Sequence, residues 1–195
     1  SQTTGTTLYT NGTAASTGGA VAGSLTNTAI TRIGAQANLA GYFWAADMAE
    51  IIVFNNTILT TSQRQQVEGY LAWKWGIQNK LASTHPFNLS SVKVTRPFAR
   101  RFAPIDITNC SLWLDAADRS SIVLSGSNVT QWNDKSGKTT TTINSAPTLS
   151  GKFINTFQTL RFNNNQIQAT LASAIGTGDY ALFAVWLTIN GGTEV

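Results

Sequence analysis

The chain has 195 residues, of which 42% are hydrophobic and 11% charged, with a net charge of +4. Ser and Thr together number 44, Asn 16 and Gly 16, a mixture that suits β-sandwiches and speaks against a helical protein. No apolar run approaches the roughly 20 residues of a membrane-spanning helix, and a single cysteine, Cys110, rules out an internal disulfide framework.

In chain order, Leu8-Tyr9-Thr10 followed by Asn11-Gly12 predicts a hairpin with a type I′ turn. Residues 16–23 form a Gly-rich turn region, and Ile30 and Ile33 around Thr31 and Arg32 read as a strand. Gly41-Tyr42-Phe43-Trp44 leads into residues 47–76, the stretch on which the chain is organised. There Ile51, Ile52, Val53 and Phe54 make a core strand, and Asn55-Asn56 ends it as turn residues do. Thr60 is placed to cap a helix, with Gln63 three residues on as its capping-box partner. Val67, Tyr70, Leu71, Lys74 and Trp75 then fall on one face, and Lys74 is expected to lay its stem along that face. Gly76 stands where the end of a helix favours a left-handed residue. This helix, 61–75, is the only convincing one in the chain.

Residues 80–104 carry Lys80, Lys93, Arg96, Arg100 and Arg101 and no acid, so the positive charge sits in a linker and the β-rich parts are near neutral. The first reading of this run is a solvated connector; the sharper one is a docking arm for an acidic partner or a polyanion, with Arg96, Arg100 and Arg101 as the docking charge, and nucleic acid binding is not expected. After the linker, residues 110–118 read as a strand with Leu112 and Leu114 on one face. Val123-Leu124, Val129–Trp132 and Thr159–Phe162 read as short strands, and Thr139–Thr142 as an exposed edge. Residues 180–189, YALFAVWLTI, read as a central strand.

Residues 42–76, YFWAADMAEIIVFNNTILTTSQRQQVEGYLAWKWG, resemble the last part of a laminin-G-like domain of the concanavalin A-like lectin/glucanase fold. LYTNGT resembles a segment a few strands earlier in such a domain. LWLDAADRSSIVLSGSNVTQWNDKSGK, TLRFNNNQIQAT and GTGDYALFAVWLTI resemble its first part. The resemblance implies an all-β, concanavalin A-like jelly-roll β-sandwich with one short helix (61–75) and its halves in permuted order. Residues 1–88 would be the C-terminal part of one jelly roll, 89–105 a basic linker, and 106–195 the N-terminal part of a jelly roll. Either chain outside this sequence completes each half, or the two halves close on each other as one permuted unit; the second reading stands slightly ahead.

Glucanases of this fold carry Glu-x-Asp-x-x-Glu on a strand. The corresponding residues here are Ala45-Ala46-Asp47-Met48-Ala49-Glu50, so alanine holds the nucleophile position. Retaining hydrolysis needs two carboxyl groups about 5 Å apart, and an uninterrupted strand sends residues three apart to opposite faces. Asp47 and Glu50 are accordingly expected to be structural, and no catalytic residue is assigned. Asp115, Asp118 and Asp134 are the carboxylates that calcium would use, but turn chemistry is the first reading of each. His85 is the only histidine, which disfavours a zinc site, and it is expected to pack beside Pro86 and Phe87. Trp73, Trp75, Trp113 and Trp186 are expected to be buried, whereas Trp44 and Trp132 near turns are the candidates to stack on a sugar ring.

The expected function is a non-enzymatic structural or adhesive module of a larger virion (capsid-associated) or cell-surface assembly. Tandem domains similar to these occur in large proteins of giant DNA viruses and of bacteria. Its partners would be other structural proteins or further copies of the same repeat. The alternative is a carbohydrate-binding, lectin-like domain; a glycoside hydrolase comes third.

Overall fold

A computed structural model of the chain describes residues 7–18, 30–35, 43–88, 102–171 and 179–188. It is built mainly of antiparallel strands, with one α-helix among the described residues. The strands β1 (Thr7–Thr10) and β2 (Thr13–Thr17) form the Asn-Gly hairpin. Asn11 and Gly12 both have positive φ, 52° and 76°, as a type I′ turn requires.

The main sheet has seven strands: β4 (Ala46–Asn55), β5 (Cys110–Asp115), β6 (Ile122–Ser125), β7 (Asn128–Trp132), β9 (Thr148–Ile154), β10 (Phe157–Phe162) and β12 (Tyr180–Thr188). All ten residues of β4 are buried. β12 runs along one side of β4; on the other side β10 pairs with Ala46–Met48 and β5 with Glu50–Phe54. Strands from before and after residues 89–101 are thus hydrogen-bonded neighbours in one sheet. A second, three-stranded sheet is ordered β3 (Ile30–Ile33), β11 (Gln166–Thr170), β8 (Thr140–Ser145).

Two cores follow from the alternation of side chains along the strands. Between the sheets lie Met48, Ile51, Val53, Leu112, Leu114, Trp132, Phe162 and Ile167. On the opposite face of the main sheet, Ala49, Ile52, Phe54, Trp113 and Val185 meet α1 (Thr61–Lys74) through Val67 and Leu71, and through Trp75 at its C-cap. The helix therefore covers the outer face of the main sheet.

The capping box forms: Thr60 Oγ1 accepts from the Gln63 N–H at 3.2 Å, and Gln63 Oε1 accepts from the Thr60 N–H at 2.9 Å. At the other end Gly76 has φ 71°, and Asn155 Nδ2 donates to the orphan carbonyl of Lys74 at 2.8 Å. Gly69 lies inside the helix because the Phe87 ring rests where its Cβ would be.

Two features differ from expectation. β12 is an edge strand among the described residues, not a central one. Its apolar side chains face both cores, with Phe183, Val185 and Leu187 towards the helix and Ala184 and Trp186 towards the small sheet. Two-faced burial produces an unbroken apolar run whether or not both strand edges are paired. The second feature is a bulge in β4. Glu50 pairs with Val185 and Met48 with Trp186, which leaves Ala49 as the extra residue. The carboxyl-bearing residues Asp47 and Glu50 therefore share the helix-side face, since their cross-strand partners Leu187 and Val185 both belong to the helix-side core. The opposite-face expectation assumed an uninterrupted strand.

Candidate functional site

The bulge directs Glu50 into the layer between the main sheet and α1. Its side chain is fully buried, and four donors converge on it. The Tyr70 hydroxyl (2.8 Å) and Trp113 Nε1 (2.7 Å) donate to Oε1, and Lys74 Nζ (2.8 Å) and Trp75 Nε1 (2.7 Å) donate to Oε2. Helical spacing brings Tyr70 and Lys74 to one face, and β5 brings Trp113 alongside. Lys74 Nζ also donates to Asp115 Oδ1 at 2.5 Å and to the Tyr70 hydroxyl at 3.1 Å. Asp115, 3% exposed, accepts on Oδ2 from Lys135 Nζ at 2.8 Å and on Oδ1 from the Ala117 N–H at 3.1 Å. Lys135 Nζ lies 2.9 Å from Asp118 Oδ2 and 4.2 Å from the centre of the Trp113 ring.

The result is a charge chain, Glu50–Lys74–Asp115–Lys135–Asp118, that runs from the core to the surface and joins α1 and β4 to the segment 113–135. Three carboxylates face two ammonium groups. Burial pushes the Glu50 carboxyl above its ordinary range; Lys74 and the hydrogen bonds pull it back, and Asp115 adds to the rise. Burial, then Glu50 and Asp115, also raise the Tyr70 hydroxyl, which stays protonated and donates. Asp118 lies lower, at about 2, because Ser120 and Lys135 hydrogen-bond its charged form. For Lys135, burial opposes the charge, but hydrogen bonds to Asp115 and Asp118 outweigh it and leave its pKa raised.

Asp47, also fully buried, is held apart from this chain. Arg161, directly opposite on β10, grips it with Nε–Oδ1 at 2.5 Å and Nη2–Oδ2 at 2.7 Å. Asp134 accepts from the backbone N–H groups of Trp113, Ser136, Lys138 and Thr139, so it organises a turn. Asp115, Asp118 and Asp134 thus each bind protein donors, and among the described residues no three His, Cys, Asp or Glu side chains gather as a metal site. His85 is buried; Nδ1 accepts from the Phe87 N–H at 3.2 Å, which leaves Nε2 to donate to Glu68 Oε2 at 3.0 Å. Burial raises the Cys110 thiol to about 12, as befits a small core residue.

The two sugar-stacking candidates separate. Trp132 is a core residue with no exposed surface, so neither ring face can take a sugar. Its position two residues from a turn signal hid the fact that it points between the sheets. Trp44 is half-buried and packs edge-on against Trp186, with ring centres 5.1 Å apart. Trp73, expected to be buried, is 45% exposed and donates Nε1 to the Phe87 carbonyl at 3.0 Å. Arg96, Arg100 and Arg101 lie outside the described residues, as do Gly41, Tyr42 and most of the Gly-rich region 16–23.

β12 borders two grooves. One of about 450 Å³ is lined by Ile33, Phe43, Trp44, Met48, Leu182 and Ala184. The other, about 1070 Å³, lies between the β1–β2 hairpin, α1 and β12, and includes Tyr9, Ile58, Leu71, Tyr180 and Phe183. Leu182 is 54% exposed at this edge.

No protein-family model, no curated protein and no solved structure matches this chain. The resemblance to laminin-G-like domains therefore rests on the quoted residues alone.

Proposed function

We propose that this chain is a non-enzymatic structural or adhesive module, a jelly-roll relative of laminin-G-like domains, that joins other proteins of a virion or cell-surface assembly through a sheet edge. One observation supports this most strongly. Tyr180–Leu187 of β12 offer eight residues with no charge and no proline along an edge where no second strand pairs among the described residues, with an apolar groove on one side and a mixed polar and apolar one on the other. Natural sheets usually protect such an edge with charge, proline or a bulge. A strand added there would send alternate side chains into the two grooves, which is how strand addition gains both affinity and selectivity. The buried charge chain fits a structural role, because its carboxylates are occupied by protein donors.

The test is hydrogen exchange on the assembled protein. The β12 amides gain protection on assembly, and Leu182→Lys abolishes both the protection and the assembly. Assembly that proceeds unchanged in Leu182→Lys would remove the edge as the contact. A second reading, glycan binding, draws on Phe43 and Trp44 in the smaller groove. A glycan array answered by the wild type and lost in Trp44→Ala would replace the first reading.

A further inference from the structure

We propose that Lys74 and Asp115 are joined by an amide bond that the protein forms on itself, with Glu50 carrying the protons. Three side chains meet at this point. Lys74 Nζ lies 2.5 Å from Asp115 Oδ1 and 2.8 Å from Glu50 Oε2. Both carboxylates are almost wholly buried, and the Lys74 side chain is 15% exposed. Tyr70, Trp75 and Trp113 wall the site and fix the Glu50 carboxylate through three hydrogen bonds.

Each requirement of amide formation has a residue to meet it. The amine must be neutral to attack, and Glu50, whose proton affinity burial raises, is in contact to accept a proton from the Lys74 ammonium. The reacting groups are already held together, which removes most of the entropic barrier to a bimolecular step. Negative charge developing on Asp115 Oδ2 meets the Lys135 ammonium, already 2.8 Å away. Nζ of Lys74 forms a bond to Cγ of Asp115, and the Cγ–Oδ1 bond breaks. Two of the three ammonium protons pass through Glu50 to Oδ1, which leaves as water; the third remains on the amide nitrogen. Glu50 ends in the state in which it began, and no oxidant or co-reactant enters. The product replaces one buried ammonium and one buried carboxylate by a neutral amide, which relieves the desolvation cost of that pair.

The bond would tie α1 to β5 across 41 positions of sequence and enclose the basic segment with Arg96, Arg100 and Arg101. It stands or falls apart from the docking role of β12. Intact-mass spectrometry of the denatured 20.9 kDa chain is the test. The expected mass is one water below that of the sequence, and a digest should yield a branched peptide joining Lys74 to Asp115. After a tryptic nick between residues 93 and 101, the two fragments should stay together in denaturant. Lys74→Arg and Asp115→Ala should each restore the full sequence mass. Glu50→Gln, which keeps the planar shape of the carboxylate but cannot take up the proton, should slow or abolish the loss of water. A wild-type mass equal to the sequence, with Lys74 open to amine labelling in denaturant, overturns the proposal. So does a lost water that maps to any other pair of residues.

Discussion

Asp47 and Glu50 are both fully buried, three residues apart, and on the same face of one strand, yet they are neutralised in opposite ways. Asp47 has one partner, Arg161, in a two-pronged grip across adjacent strands. Glu50 has four donors, three from the helix and its C-cap and one from β5, and its only cation is shared with Asp115. The first is a closed pair that can be removed without disturbing its surroundings, since the Arg161 side chain is 30% exposed and can turn to water. The second is a junction. Indole and phenol donors on α1 and β5 point at it from both sides, so the carboxylate holds helix and sheet in register. A buried polar network is stabilising only while every member is satisfied, and that condition separates the two sites.

Glu50→Ala leaves two indole N–H groups and a phenol without their acceptor, and leaves Lys74 with Asp115 as its one carboxylate. It should cost about 3–5 kcal/mol in urea unfolding, as losses of one partner in buried ionic networks do. Asp47→Ala should cost less, about 2 kcal/mol, the worth of hydrogen bonds to a charged group, because Arg161 can rehydrate. Equal losses for the two would erase the distinction. Thr60→Ala, which removes the helix cap without touching either carboxylate, should cost about 1 kcal/mol and leave the Glu50 contacts intact by NMR of the indole protons. Asp118→Asn, at the wet end of the chain, should cost under about 1 kcal/mol.

Acid and base should act on the two ends of the charge chain in opposite directions. Asp118 binds its proton more weakly when folded than its ordinary 3.8, so its contribution is present above that pH and is lost as pH falls through about 2. Glu50 binds its proton more tightly when folded than its ordinary 4.5, so its contribution declines as pH rises above that value. Unfolding midpoints measured against pH should lose the second slope in Glu50→Gln and keep the first.

Much of the fold could be read from residues with a local cause. Asn11-Gly12, the Thr60–Gln63 box and the Ile51–Phe54 run each act within a few positions, and each formed as read. What escaped has a non-local cause. Nothing in Asp47-Met48-Ala49-Glu50 marks a bulge, because the extra residue exists only relative to β12. Trp132 and Trp73 were misplaced because burial depends on which layer a strand end or helix face meets. Lys74 was read as a stem on an apolar face; it ends in an ionic junction. One signal was present: a glutamate beside a core strand must find a partner, and the lysine and aromatic residues at helical spacing were the available ones.

Residues on both sides of the basic segment are hydrogen-bonded around β4 and should unfold as one cooperative unit. Native-state hydrogen exchange measures this directly. The amides of β4, α1, β5 and β10 should open together, with one common free energy equal to that of global unfolding. Exchange of residues 46–80 in a separate, weaker step from residues 110–162 would contradict the account.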